Sequence, residues 1–179
     1  MIHLKSDAVG FDKSINRMIN KLNKHVNTYL GYDFEIYHKI YRNKLEVDGN
    51  LITIPEALLS NGDYREIFIN DKYNGIVGFL PAETREVNGS NAEVEVDVIF
   101  SVKMDTIFDT GQREDEKMLL SCKNAVDHFG FEVTEIKTGL ENVYSGFDTS
   151  RINFRDMNPW FNFSFTILVI YENICDYDL

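Results

Sequence analysis

The sequence predicts an α+β fold: a mainly antiparallel sheet with a long hairpin, packed against an N-terminal helix and a second amphipathic helix. Three observations carry this reading. Apolar residues recur at helical spacing in two stretches, one near the N-terminus and one from Glu114 to Phe129. Other stretches alternate apolar and polar residues with the period of two that marks a strand. Glycine-containing turns, Asp48-Gly49 above all, separate the alternating runs. At 179 residues, elements of both kinds fit one domain, residues 1–179, large enough to bury a full core.

The first helix spans about Asp12 to Leu30, with Ile15, Met18, Ile19, Leu22, Val26 and Leu30 at spacings of three and four. Gly31 stands where a left-handed cap would close it. Its polar side holds Lys13, Asn16, Arg17, Asn20, Lys24 and Asn27 and reads as a solvated outer face, the one positive feature of an acidic chain. From Asp33 the period becomes two. Phe34, Ile36, His38 and Ile40 alternate with Glu35, Tyr37, Lys39 and Tyr41, which predicts a strand with an aromatic outer face. Asp48-Gly49-Asn50 then predicts a hairpin, because its turn needs positive φ. Pro55 lacks an N–H and is expected to end the second strand, with a helical turn over Pro55 to Leu59 and a break at Ser60-Asn61-Gly62-Asp63.

Strands are expected at Ile67 to Ile69, before a turn at Asn70-Asp71, and at Ile76 to Leu80, closed by Pro81. Arg85 to Asn91 reads as the tip of a long hairpin leading to the best strand. There Val94, Val96, Val98, Phe100, Val102 and Met104 alternate with mostly polar residues, over a length expected to protrude from the body or bend around it. Asp109 or Thr110 can cap the second helix, Glu114, Asp115 and Glu116 suit its first turn, and Gly130 closes it. Its stripe of Met118, Leu119, Cys122, Ala125, Val126 and Phe129 is expected to face the core, with Val126 and Phe129 on the even side of the long strand. Strands follow at Phe131 to Lys137, Arg151 to Arg155 and Phe161 to Tyr171. In the last, Leu168 and Ile170 make both faces apolar, as in a covered strand.

Composition excludes several functions. Eighteen basic against 29 acidic residues leave a net charge of −11, which opposes tight binding to phosphate backbones. Met1 to Gly10 has no apolar run and no stretch approaches 18 apolar residues, so neither a signal peptide nor a membrane span is expected. Cys122 and Cys175 are too few for a disulfide scaffold and match no zinc spacing, which makes a reduced intracellular setting the default. The motifs of P-loop, dinucleotide, serine-hydrolase, zinc-protease and EF-hand sites are absent, and His3, His25, His38 and His128 are scattered. No catalytic residue, metal or cofactor is expected. One cluster invites chemistry: Glu93, Glu95 and Asp97 on one strand face, with Glu135-Ile136-Lys137 on another strand, resemble in outline the acidic-residue-plus-ExK set of a metal-dependent nuclease. ExK tripeptides are common, no Pro-Asp turn precedes the acid, and the charge is wrong for DNA. The expected reading is a solvated acidic face, on which replacing Glu95 or Asp97 by alanine changes stability little.

Val96 to Met104, then Arg113 to Phe129, then Asp156-Met157-Asn158-Pro159-Trp160 leading into Phe161, Phe163 and Phe165, together resemble the tail terminator and tail-completion (head-to-tail connector) proteins of tailed bacteriophages. That resemblance implies a non-enzymatic virion protein, assembled in the host cytoplasm as a six- or twelve-fold ring of identical copies. Its partners would be neighbouring portal, connector or tail proteins, and DNA would pass without tight binding. Tyr37, Tyr41 and Trp160 are then candidates for subunit contacts, and Glu93, Glu95 and Asp97 for an acidic lining of the passage. The other reading is a small intracellular binding module or a metal-dependent enzyme of unknown substrate.

Overall fold

In the computed structural model, which describes residues 1–68, 72–108, 114–150 and 159–172, the first helical stretch forms α1, Phe11–Leu22, and continues as a π-helix over Asn23–Tyr29. Gly31 follows at φ 72°, as the cap predicts. Eight strands make one sheet: β1 Phe34–Val47, β2 Asn50–Leu58, β3 Tyr64–Glu66, β4 Gly75–Pro81, β5 Glu86–Asn88, β6 Asn91–Lys103, β7 Val133–Thr138 and β8 Trp160–Glu172. Between them lie α2, Asp115–Asp127, and the short α3, Leu140–Val143. The strand order is β3-β2-β1-β4-β6-β8-β7, with β5 added beside β6. Among the described strands β1 and β4 run parallel and the other strand pairs are antiparallel; a parallel bridge also joins Ile2 to Ile36. The fold class read from the sequence is the observed one.

Alternation divides the sheet's residues between two cores. On one face Val94, Val96, Val98, Phe100 and Val102 of β6 and the odd-numbered residues of β8 from Phe161 to Tyr171 meet Ile15, Ile19 and Leu22 of α1 and Met118, Cys122 and Val126 of α2. Phe129 joins this cluster, as expected. On the other face a smaller core gathers Tyr37, Ile40, Ile76, Leu80 and Ile99 under Ile67, Phe68, Val143, Tyr144 and Phe147. This second cover reaches only part of the face, and the end near Glu93 is left outside it.

The turn at Asp48 and Gly49 has φ of 50° and 78°, the double positive φ that Asp-Gly supplies. Gly89 at φ 64° tips the β5–β6 hairpin. Other expectations are corrected. Pro55 does not end its strand, and no helical turn follows it: β2 runs on to Leu58. Its carbonyl accepts the Ile67 N–H at 3.0 Å, so its nitrogen also faces away from β1, where no ladder bond is lost. The strand placed at Ile67 forms at Tyr64–Glu66 instead. β6 does not protrude, because β8 pairs with it along its whole length, from Asn91↔Glu172 to Lys103↔Trp160. The polarity of β8 is inverted: Asn162, Ser164 and Thr166 are buried, while Leu168 and Ile170 are 37% and 52% exposed. Asp109, Thr110, the Asn70-Asp71 turn, the Arg151 to Arg155 segment, Asp156 to Asn158 and Cys175 lie outside the described residues. No helix among the described residues is long and apolar enough to cross a membrane.

Candidate functional site

The long strand places Glu93, Glu95 and Asp97 on the sheet face that carries the second core, since their even-numbered neighbours point to the first. Cross-strand register then gives each a different neighbourhood. Glu93 lies opposite Ile170 on β8 and Glu86 on β5, and Glu95 lies opposite Leu168. Asp97 lies opposite Thr166, whose hydroxyl donates to Asp97 Oδ1 at 2.5 Å. Lys137 on β7 reaches across β8 and donates to both Asp97 oxygens at 3.1 and 2.9 Å, with Glu135 at 3.5 Å. Burial pulls the Lys137 ammonium down, but Asp97 and Glu135 outweigh it and hold its pKa above the ordinary lysine value.

These groups line a polar cleft of about 200 Å³ with Arg42, Leu80, Glu95 and Thr166. The structure thus unites Asp97 with the Glu135-Ile136-Lys137 strand, which sequence spacing only suggested. Chemically, the cleft is an internal ion pair: the Lys137 ammonium occupies the place between Asp97 and Glu135 that a metal ion would take. Among the described residues no group of three or more His, Cys, Asp or Glu is placed to hold a metal. The acidic trio is therefore not one free face, because Asp97 is paired within the chain while Glu93 and Glu95 form no ion pair among the described residues. The expectation that alanine at Asp97 changes stability little is corrected with it.

The cleft continues inward as a polar row that sequence reading missed. Ser101 donates to Asn162 Oδ1 at 2.6 Å and shares a 3.1 Å hydrogen bond with the Tyr144 hydroxyl, whose pKa burial pushes up to about 12. The signal was present as Asn162, Ser164 and Thr166 between phenylalanines, but only the register with β6 shows that they are covered.

Tyr37 is not on an outer face. It is 1% exposed in the second core, on the side opposite Ile36, because Phe68, Tyr144 and Phe147 cover that side of the sheet. Its hydroxyl donates to Glu35 Oε2 at 2.5 Å, and His3 Nε2 lies 3.1 Å from Glu35 Oε1. Ser60 completes a Ser–His–Glu row, with Oγ 3.3 Å from His3 Nδ1. The same Nδ1 accepts the Ser60 backbone N–H at 3.2 Å, so its lone pair is engaged and the imidazole is not a free base. The row fastens the N-terminal segment to the sheet. Trp160, the second corrected contact candidate, is 6% exposed at the start of β8. Tyr41 is half-buried and packs edge-on against Tyr64, ring centroids 5.7 Å apart.

On the opposite side of the sheet, α1 presents Lys13, Arg17 and Lys21 and the π-helix that continues it presents Lys24, all exposed. Lys21 donates to the His128 and Phe129 carbonyls at the end of α2. His25 and His128, far apart in sequence, meet here with ring centroids 5.2 Å apart, and Tyr29 joins them in a cleft of about 470 Å³. Burial, then the neighbouring His128, lower the His25 pKa. Cys122 is fully buried and its thiol is pushed up by burial, the behaviour of a packed apolar residue rather than a nucleophile. No protein-family model, curated protein or solved structure matches the chain.

Proposed function

We propose that this chain is a structural subunit that assembles with copies of itself into a ring, in the manner of the tail terminator and head-to-tail connector proteins that its sequence resembles. In that reading the ring belongs to a virion, contacts portal, connector or tail proteins, and lets DNA pass without holding it. The observation that carries the reading is the uncovered end of the sheet, where Leu168 and Ile170 stand exposed beside Glu93 and Glu95. Apolar residues that point outward on an otherwise well-buried strand fit a surface that a partner covers. Light-scattering mass and negative-stain images of the purified chain test it. Closed rings support the proposal, and a chain that stays monomeric at every concentration opposes it.

A second reading has its own observation, the meeting of Asp97, Glu135 and Lys137 in one cleft. A metal-dependent phosphodiesterase would cut DNA with manganese or magnesium and lose activity in Lys137→Ala. The ring proposal expects no cleavage with either ion.

A further inference from the structure

We infer that the ring contact is head-to-tail, with the basic outer side of α1 in one copy seated on the acidic, partly apolar end of the sheet in the next. This deepens the ring reading and rests on it. Lys13, Arg17 and Lys21 repeat at every fourth position and Lys24 follows, so four cations span about 16 Å of helix. Like charges at that spacing repel each other, and Lys13, Arg17 and Lys24 form no ion pair with another described residue. The opposite side of the sheet has the matching defect. Glu86 lies directly across from Glu93, two carboxylates facing each other with no ion pair to either among the described residues, and Glu95 stands beside them.

Each patch is therefore unfavourable in the isolated chain, and each supplies what the other lacks. They lie on opposite faces of one sheet, because α1 packs on the first core while the carboxylates flank the second, and they approach each other only at the C-terminal end of β8, where Lys13 and Arg17 share a cleft of about 270 Å³ with Ile170 and Glu172. Placing the helix of one copy on the open face of the next repeats the helix-on-sheet layering already present within the chain. The long lysine and arginine stems would lie over Leu168 and Ile170 while their charged ends reach Glu86, Glu93 and Glu95. A contact between two different surfaces closes into a ring when the rotation per subunit divides a full turn. Glu93 and Glu95 then belong to the seam between subunits rather than to the wall of the passage.

Two variants test the contact: Lys13→Glu/Arg17→Glu/Lys24→Glu, with both surfaces acidic, and Glu86→Lys/Glu93→Lys/Glu95→Lys, with both basic. Circular dichroism first establishes that each is folded, and the neutral Glu86→Gln/Glu93→Gln/Glu95→Gln variant replaces the second if it is not. Each alone should associate at least about tenfold more weakly than the wild type. An equimolar mixture of the two reversed variants should regain assembly, since every contact then joins opposite charges in alternation. With the neutral variant as substitute, the expected result is the tenfold loss alone. Variants that assemble like the wild type overturn the surface assignment and leave the ring reading standing. So does a mixture of folded reversed variants that stays monomeric. A helix variant that keeps its ring but loses retention on duplex DNA would give the stripe to phosphate instead. A wild-type chain that never assembles removes the ring reading itself.

Discussion

Asp97 and Glu95 stand two residues apart on one strand, yet the molecule uses them differently. Asp97 accepts from Lys137 and Thr166 in a half-buried cleft, whereas Glu95 is exposed and forms no ion pair among the described residues. Asp97→Ala leaves the Lys137 ammonium with only its longer contact to Glu135 and should cost about 1.5–3 kcal/mol in urea unfolding, while Glu95→Ala should stay within about 0.5 kcal/mol. Equal effects would mean that the Lys137 pair contributes nothing. Asp12 gives a pH test. Burial raises its pKa, but Lys39 at 2.6 Å and Lys5 outweigh this and hold it below its ordinary 3.8. A carboxyl depressed in the folded state contributes stability above its unfolded pKa and loses it as pH falls through the folded value. The melting-temperature gap between wild type and Asp12→Asn should therefore be full at neutral pH and close only below pH 3.8. His38 acts in a separate window. Burial lowers its pKa, so the unfolded chain binds its proton first, and stability falls as pH drops below 6.5.

Among the elements, α2 packs on the helix-covered face through Met118, Cys122, Ala125 and Val126, and Phe129, two residues past its end, adds the largest side chain of this segment to that core. Phe129→Ala should cost about 3–5 kcal/mol, and a loss under about 1 kcal/mol would show the ring is not packed into the core. Gly75 tests the junction of β1, β4 and β6. A Cβ there would lie 2.9 Å from Phe34 Cε1 and 3.0 Å from the Ser101 carbonyl oxygen. Gly75→Ala should cost about 1–3 kcal/mol by overpacking in the same unfolding assay. The elements easiest to read in the sequence were those whose signal is local: the alternation of β6, the Asp-Gly hairpin and the stripe of α2. The errors came where distant chain decides. Pro55 stays in β2 because its N–H would face away from β1, and Tyr37 is buried because Phe68, Tyr144 and Phe147 lie over that side of the sheet. β8 shows the same limit most clearly. Its Asn162 to Thr166 half looked solvent-facing and its Leu168–Ile170 half looked covered, and the position of the second core reverses both. For the candidate site, alternation showed which side Glu93, Glu95 and Asp97 share. Only the β6–β8–β7 pairing reveals that Lys137 reaches Asp97 and not the other two.

At the scale of the whole molecule, in the proposed ring the net charge of −11 would set neighbours against each other while the patches on α1 and β6 would draw them together. The two effects differ in range, and salt separates them. A chain of this length has a radius of gyration near 16 Å, so adjacent copies have centres roughly 30–40 Å apart. At about 0.01 M salt the screening length is about 30 Å and the repulsion between whole subunits is felt in full. At about 0.15 M it is about 8 Å, which removes that repulsion but spares charges in contact at about 4 Å. Near 1 M, at about 3 Å, the contacts are screened as well. Association measured by sedimentation at fixed protein concentration should therefore strengthen from low to physiological salt and weaken again toward 1 M. A rise that continues to the highest salt would mean that Leu168, Ile170 and other apolar groups hold the subunits without help from the helix. The Lys13→Glu/Arg17→Glu/Lys24→Glu variant supplies the internal comparison. With the attractive contact removed, its weaker association should only increase with salt, because repulsion is then the one electrostatic effect left to screen.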